Sequence, residues 1–293
     1  MAERVKTPAE NQSVARALTI LSLLAEKSEP LGVREIARQL RLPPSIAQRL
    51  LKTLAKAGFL EQTGTTLRYA IGYKAFQVGN TFVAQSNLHS AVAPELYALA
   101  DHHVSSFLGV MRDRKIVYLA AVQSNGPIAI NHRPGAQTHI HSTAMGKALL
   151  AELPDQEIKA LLTERPLPRL TTHTKTNVTQ LMSELQTVRR QGYSTSDEEN
   201  RAGFYSVGAV IRDATGTAIA VISGAIPTLG LKNPDRARLA KLVVESAQNA
   251  SRRLGAPNMP FTSGASIRLV DSGSPKSQKY KSSRRRTRFA SVS

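Results

Sequence analysis

The 293-residue sequence contains no cysteine, which excludes disulfide bonds and thiolate metal sites and leaves a reducing compartment permitted though not required. It also lacks any run of about 18 consecutive apolar residues, and its opening MAERVKTPAENQ has no apolar signal segment, so no membrane partner is expected. A soluble, cytoplasmic protein is the expectation. Acidic residues are the third shortage: 21 Asp and Glu face 39 Lys and Arg, a formal net charge of +18. This imbalance favours a polyanionic partner such as nucleic acid over an acidic small molecule alone.

What is present begins with three short helical patterns. Val14, Ala17, Leu18, Leu21 and Leu24 recur at helical spacing behind a Ser13 cap; Val33, Ile36, Ala37 and Leu40 follow Gly32; Ala47, Leu50, Leu51 and Leu54 come third. Each leaves one apolar stripe, and three helices packed together cover all of them. Phe59–Glu61 and Leu67–Ala70 then read as two strands joined by the turn at 62–66. Residues 1–71 thus form a winged helix-turn-helix pattern, and 72–89 a linker helix. Residues 90–255 mix strand runs (106–111, 115–122, 205–212, 217–223) with helical ones (145–152, 178–191, 235–254), and short turns join neighbouring strands. The expectation is an α+β domain on an antiparallel sheet. Residues 256–293, rich in Ser, Lys and Arg, read as a disordered basic tail that holds +7 of the charge. That tail fits either added nonspecific DNA affinity or a merely solvated terminus.

On the third helix the apolar stripe leaves Ser45, Gln48, Arg49, Lys52 and Lys56 on the opposite side. Gln and Arg can bond bidentately to adenine and guanine, Ser45 suits a phosphate near the helix start, and the lysines suit phosphates farther along. Arg68 and Gly64 would let the wing approach a groove or backbone. The plain alternative is a solvated surface helix. Within QLRLPPSIAQRLL, Arg41 stands in the turn where glycine is favoured, and Ile46 stands beside the polar face, placed to meet a thymine methyl.

The stretch SVARALTILSLLAEKSEPLGVREIARQLRLPPSIAQRLLKTLAKAGFLEQ resembles the N-terminal domain of the IclR family of bacterial transcriptional regulators. HSTAMGKALLAELP, LPRLTTHT, GYSTSDEEN and GFYSVGAVIRDATG are similar to motifs of that family's effector domain. The resemblance implies a winged helix-turn-helix followed by a GAF-like α+β effector-binding domain, assembled as a homodimer or homotetramer on a palindromic double-stranded DNA operator. It further implies a small organic acid effector, a central metabolite or an aromatic carboxylate, and no cofactor; RNA polymerase is a further candidate partner. The face of the third helix, the turn before it and the wing give Arg41, Pro44, Ser45, Ile46, Gln48, Arg49, Lys52 and Arg68 as the expected DNA-reading residues. The effector residues are Ala144, Met145, Ser196, Asp197, Ser206 and Ser223. The sequence departs from the family pattern at Ser196, where an acidic residue is common, at Ser206, where Cys is, at Ala225 for Ser, at Ile46 for Thr and at Arg41 for Gly. The departures at Ser196, Ser206 and Ala225 point away from an effector of the glyoxylate or pyruvate type.

Other constellations weigh less. GKALL is no Walker loop, since Ala148 follows Lys147 where Ser or Thr would bind magnesium. His139 and His141 could join Asp197 or Glu198 at a zinc ion, but paired histidines at strand spacing are more often hydrogen-bonded or exposed. Asp197, Glu198 and Glu199 could supply a general base to Ser142 or Ser206, yet no nucleophile elbow surrounds either serine. Arg133, in NHRPG, could pair with an effector carboxylate or lie in a surface salt bridge. An enzyme and a nonspecific nucleic-acid binder remain the alternatives to a ligand-responsive regulator.

Overall fold

A computed structural model describes residues 11–27, 29–64, 66–84, 87–124, 130 and 132–257. From residue 258 onward, the expected basic tail lies outside the described residues. The chain divides into two compact units between Ser90 and Ala91.

The first unit runs α1 (Gln12–Glu26), α2 (Val33–Gln39), α3 (Pro44–Lys56), β1 (Leu60–Gln62), β2 (Tyr69–Ile71) and α4 (Tyr73–Ala84). The cap of α1 is Asn11, whose side-chain oxygen accepts from the N–H groups of Ser13 and Val14; the expected cap, Ser13, lies inside the helix. Ile20, Leu24, Ile36, Leu50 and Leu51 bring the three apolar stripes together over Leu60 and Tyr69 from the hairpin. Tyr69 also exchanges both backbone hydrogen bonds with Leu31, at 2.9 and 3.0 Å, which stitches the start of α2 to the wing.

Between α2 and α3 the chain reverses through Arg41, whose φ is 52°. The N–H of Leu42 reaches the Ala37 carbonyl at 2.9 Å and that of Arg41 the Arg38 carbonyl at 3.3 Å. This pair of bonds is a Schellman ending, in which the left-handed position usually holds glycine. Pro43 and Pro44 then stop α2 and start α3, because proline at the first helical position gives up only an N–H that has no partner there.

Helix α5 (Asn87–Asp101) begins just before the boundary and continues in the second unit, which also holds β3 (Ser105–Arg112), β4 (Lys115–Val122), β5 (Gln137–His139), α6 (Ala144–Leu150), α7 (Asp155–Thr163), α8 (Val178–Gln191), β6 (Ser194–Asp197), β7 (Phe204–Arg212), β8 (Ala218–Pro227) and α9 (Asn233–Arg253). Its six strands form one antiparallel sheet in the order β5-β4-β3-β8-β7-β6. Register assigns the faces. Gly208 pairs with Ser223 and Val207 with Gly224; a Cβ on Gly208 would strike the Ala144 backbone at 2.8 Å, and one on Gly224 would meet Val243 and Leu239 of α9. Helices α6 and α9 therefore cover opposite faces, since neighbouring strand residues point opposite ways. Arg253 of α9 pairs with Glu95 of α5 at 2.7 Å, which puts α5 on the α9 side, while α7 and α8 join α6 around Leu149, Ile158, Leu181 and Leu185.

The expected single linker helix over 72–89 is instead α4 followed by α5, and α5 continues to Asp101 despite Pro94 within it. Strands β5 and β6 and helix α7 also lie outside the expected elements, being short or polar. No helix among the described residues is long and apolar enough to cross a membrane.

Candidate DNA-reading face and effector cavity

Helix α3 buries Ala47, Leu50 and Leu51 and leaves Pro44, Ser45, Arg49, Lys52 and Lys56 exposed, with Gln48 half-buried beside them. Arg41 is exposed in the preceding turn. The assigned cations and amide therefore share one side of one helix. Ile46 differs from its expected placing: it is half-buried and packs against the core formed by α1, α2 and the hairpin, so only part of its side chain remains for a base. Arg68 differs more. Its Nη2 lies 2.7 Å from Glu35 Oε2 and its Nε donates to the Pro30 carbonyl at 2.8 Å, so the side chain assigned to the wing's DNA contact ties the wing to the start of α2. Glu35 also accepts the Gly32 N–H, and these two partners hold its carboxyl below the ordinary value against a smaller opposing effect of burial.

In the second unit, Gly208 lets α6 lie close on the sheet, and Gly146 lets the segment before α6 fold against the helix. A Cβ at Gly146 would fall 2.2 Å from the Ile140 carbonyl oxygen, and Gly208 sits against Ala144. Thr143 caps α6 by accepting the Gly146 N–H at 3.0 Å. Ser194 donates to the Ala144 carbonyl and Ser196 to that of Ser142 at 2.7 Å, so β6 holds the segment in front of α6.

Beneath this segment lies a cavity with an empty volume of about 450 Å³, part of it open to solvent. Ala144, Met145, Ser196, Ser206 and Ser223 all line it. Asp197 is not among the lining residues and instead pairs with Arg236 at 2.7 Å. The reason is the period of the strand: Ser196 points inward, so its neighbour points out. Sequence reasoning missed the aromatic floor and the basic rim. His132 stacks on Tyr118 at 4.5 Å and meets Phe107 edge-on at 5.5 Å, while Arg201 lies over Phe204 at 5.8 Å and both line the cavity. Burial, then the charge of Arg201, hold the His132 imidazole below its ordinary pKa, so it is neutral at pH 7. Asn200 is fixed by the hydroxyls of Ser142 and Thr138 at 3.1 and 3.2 Å. Arg133 is exposed and is not among the lining residues.

Lys147, fully buried in the GKALL motif, is not among the residues that line this cavity. Its ammonium lies 2.6 Å from Glu184 and 2.7 Å from Glu199, and Lys175 bridges the same two carboxylates at 2.9 and 3.3 Å. Thr171 and Thr174 donate to the carbonyls of Glu198 and Glu199 at 2.7 and 2.6 Å. The quartet thus joins α6, α8 and the segment that presents Asn200 and Arg201. Among the described residues no three His, Asp or Glu side chains are placed to hold a metal.

Residues 81–252 match the model for the bacterial transcriptional regulator IclR C-terminal domain, and residues 13–64 the model for the IclR helix-turn-helix domain. The chain belongs to the IclR family of bacterial transcriptional regulators. It is 32% identical to the HTH-type transcriptional regulator BhcR of Paracoccus denitrificans over 82% of this chain and 86% of that one. It is 29% identical to the transcriptional repressor IclR of Escherichia coli over 83% and 90%. A crystal structure of an IclR transcriptional regulator from Alicyclobacillus acidocaldarius aligns with a TM-score of 0.77 at 25% identity, covering 84% of this chain and all of that one. As an IclR-family member the protein is a DNA-binding transcriptional regulator and not an enzyme, which removes Ser206 and Asp197 from consideration as catalytic groups.

Proposed function

We propose that this regulator reads a palindromic operator as a dimer or tetramer through paired α3 helices, and that a small aromatic carboxylate in the cavity beneath α6 biases the operator-binding state. The cavity carries the effector reading: an aromatic floor of Phe107, Tyr118 and His132, with Arg201 at the rim as the cation and Ser206 and Ser223 as hydroxyl donors. Rings stack on rings, and a guanidinium matches a carboxylate in bidentate geometry. For DNA, Gln48 and Arg49 are the base readers and Arg41, Ser45 and Lys52 the phosphate contacts. Pro44 sets the start of the helix. Arg68 acts behind this face as a tether.

A palindrome demands two reading helices related by two-fold symmetry. Exposed Val14 and Leu18 on α1, and Tyr73 and Phe76 on α4, supply apolar surface for a second copy, and such surface is normally covered.

A thermal-shift screen of organic acids tests the effector, since a ligand bound only by the folded state raises its stability. An aromatic carboxylate should stabilise the protein and should lose its effect in Arg201→Ala. If only short aliphatic keto acids stabilise it, the aromatic reading fails. Footprinting tests the DNA face: Gln48→Ala with Arg49→Ala should abolish operator selectivity while preserving fold and oligomer, and an unchanged footprint would sink the assignment.

A further inference from the structure

A second cavity, with an empty volume of about 630 Å³ and open to solvent, lies between the β3–β4 turn, β5 and the Arg165–Pro168 segment after α7. Lys115 and His139 are cross-strand partners in the β4–β5 register. The rings of His139 and His141 meet edge-on at 5.6 Å. His141 Nε2 lies 3.0 Å from the Pro168 carbonyl oxygen, which braces the facing wall. Arg114 fixes the third side by pairing with Glu164 at 2.7 Å and donating to the Leu161 carbonyl; its Nε is buried without an acceptor among the described residues. Lys115 and Arg165 are exposed and line the cavity, and Asp113 is the acidic lining residue.

We propose that this cavity is a second oxyanion site, separate from the one beneath α6, and that its ligand is a carboxylate or phosphate held by Lys115, Arg165 and the imidazole of His139. The charge balance favours an anion, because Arg114, Lys115 and Arg165 line the cavity against the one carboxylate of Asp113, and Glu164 offsets only Arg114. Burial, with the nearby Lys115, holds His139 below its ordinary pKa, so at neutral pH it offers one N–H donor without an added charge.

The two cavities share a rigid segment. Thr143 Oγ1 donates to the His139 carbonyl at 2.7 Å while capping α6, and the Ile140 backbone abuts Gly146 with no room for a Cβ. His139 and His141 face the second cavity, and Thr143, Ala144 and Met145 the first. Occupancy of the second site is therefore felt at the first as a coupling between two ligands. That coupling rests on the effector reading above; binding at the second site does not.

Histidine side chains report the two sites separately. With 13C-histidine in the full chain, inorganic phosphate and succinate are titrated at constant pH and ionic strength. The His139 and His141 resonances should move saturably for at least one of these anions, and Lys115→Ala with Arg165→Ala should weaken the response about tenfold. The anion that saturates them identifies the source as phosphate or carboxylate. Unmoved His139 and His141, or equal shifts in the double variant, overturn the site. Benzoate, followed at His132, then measures the coupling: an affinity unchanged by saturating phosphate or succinate overturns it. If no carboxylate moves His132, the effector reading falls while the second-site titration stands.

Discussion

Arg41 carries two opposing demands. At φ 52° a side chain costs on the order of 1 kcal/mol that glycine would not, offset by the greater freedom that glycine gives the unfolded chain. Arg41→Gly should therefore leave urea stability unchanged or raise it by up to about 1 kcal/mol. Operator affinity should fall in the same variant, with the slope of log affinity against log salt reduced by about one, as expected for one lost phosphate contact. A slope equal to the parent's would show that Arg41 is only a turn residue. Arg68→Ala should do the reverse, leaving the salt slope unchanged. Its visible effect should be on Glu35, whose carboxyl, now held low first by the Gly32 N–H and also by Arg68, should titrate higher in an NMR pH series. Both residues were visible in the sequence as cations near a reading helix. Their different roles were not, because the partners of Arg68, Pro30 and Glu35, stand more than thirty positions away in the chain.

Among the elements, α6 is held by charge as well as by close packing. Lys147→Met would leave Glu184 and Glu199 facing Lys175 alone, and breaking such a buried pair costs roughly 3–5 kcal/mol, measurable by denaturant unfolding of the second unit. The pH dependence has two limbs. Burial alone would raise the Glu184 carboxyl, but Lys147 and Lys175 outweigh it and hold it below 4.5. Its contribution is therefore complete above that unfolded value and is lost as pH falls through the folded one. For Lys175, burial would lower the pKa, but Glu184 and Glu199 outweigh it and raise it above 10.5. Its contribution is complete below 10.5 and is lost as pH rises through the folded value. Glu184→Gln should flatten the acid limb of a stability-versus-pH curve and Lys175→Met the alkaline limb. The sequence displayed the helical periods of α1, α2, α3, α8 and α9, since an apolar stripe is a local signal. It hid β5 and β6, whose residues QTH and STSD carry no alternating apolar pattern and extend only because β4 and β7 offer them an edge.

At the scale of the whole molecule, the two units keep separate cores, one built on Ile20, Leu51 and Tyr69 and the other on Phe107, Leu149 and Val210. An effector bound beneath α6 should accordingly raise the calorimetric midpoint of the unit holding the sheet, by an amount that grows with ligand concentration, while the midpoint of the helix-turn-helix unit moves less. Equal shifts in both would mean that the units unfold as one.

By itself the sequence determined the positive charge, the absence of thiol chemistry, the order of a small helical domain and an α+β domain, and the motifs that mark the family. These depend on composition, on local periodicity and on short strings of residues. The tertiary structure alone decided that Asp197 turns away from the cavity while Ser196 faces it, that Arg201 and His132 join Phe107 and Tyr118 around one space, and that Lys147 is spent on Glu184 and Glu199. Each of those outcomes is set by strand register and by contacts between segments tens of residues apart, where a shift of one residue exchanges the inward and outward faces.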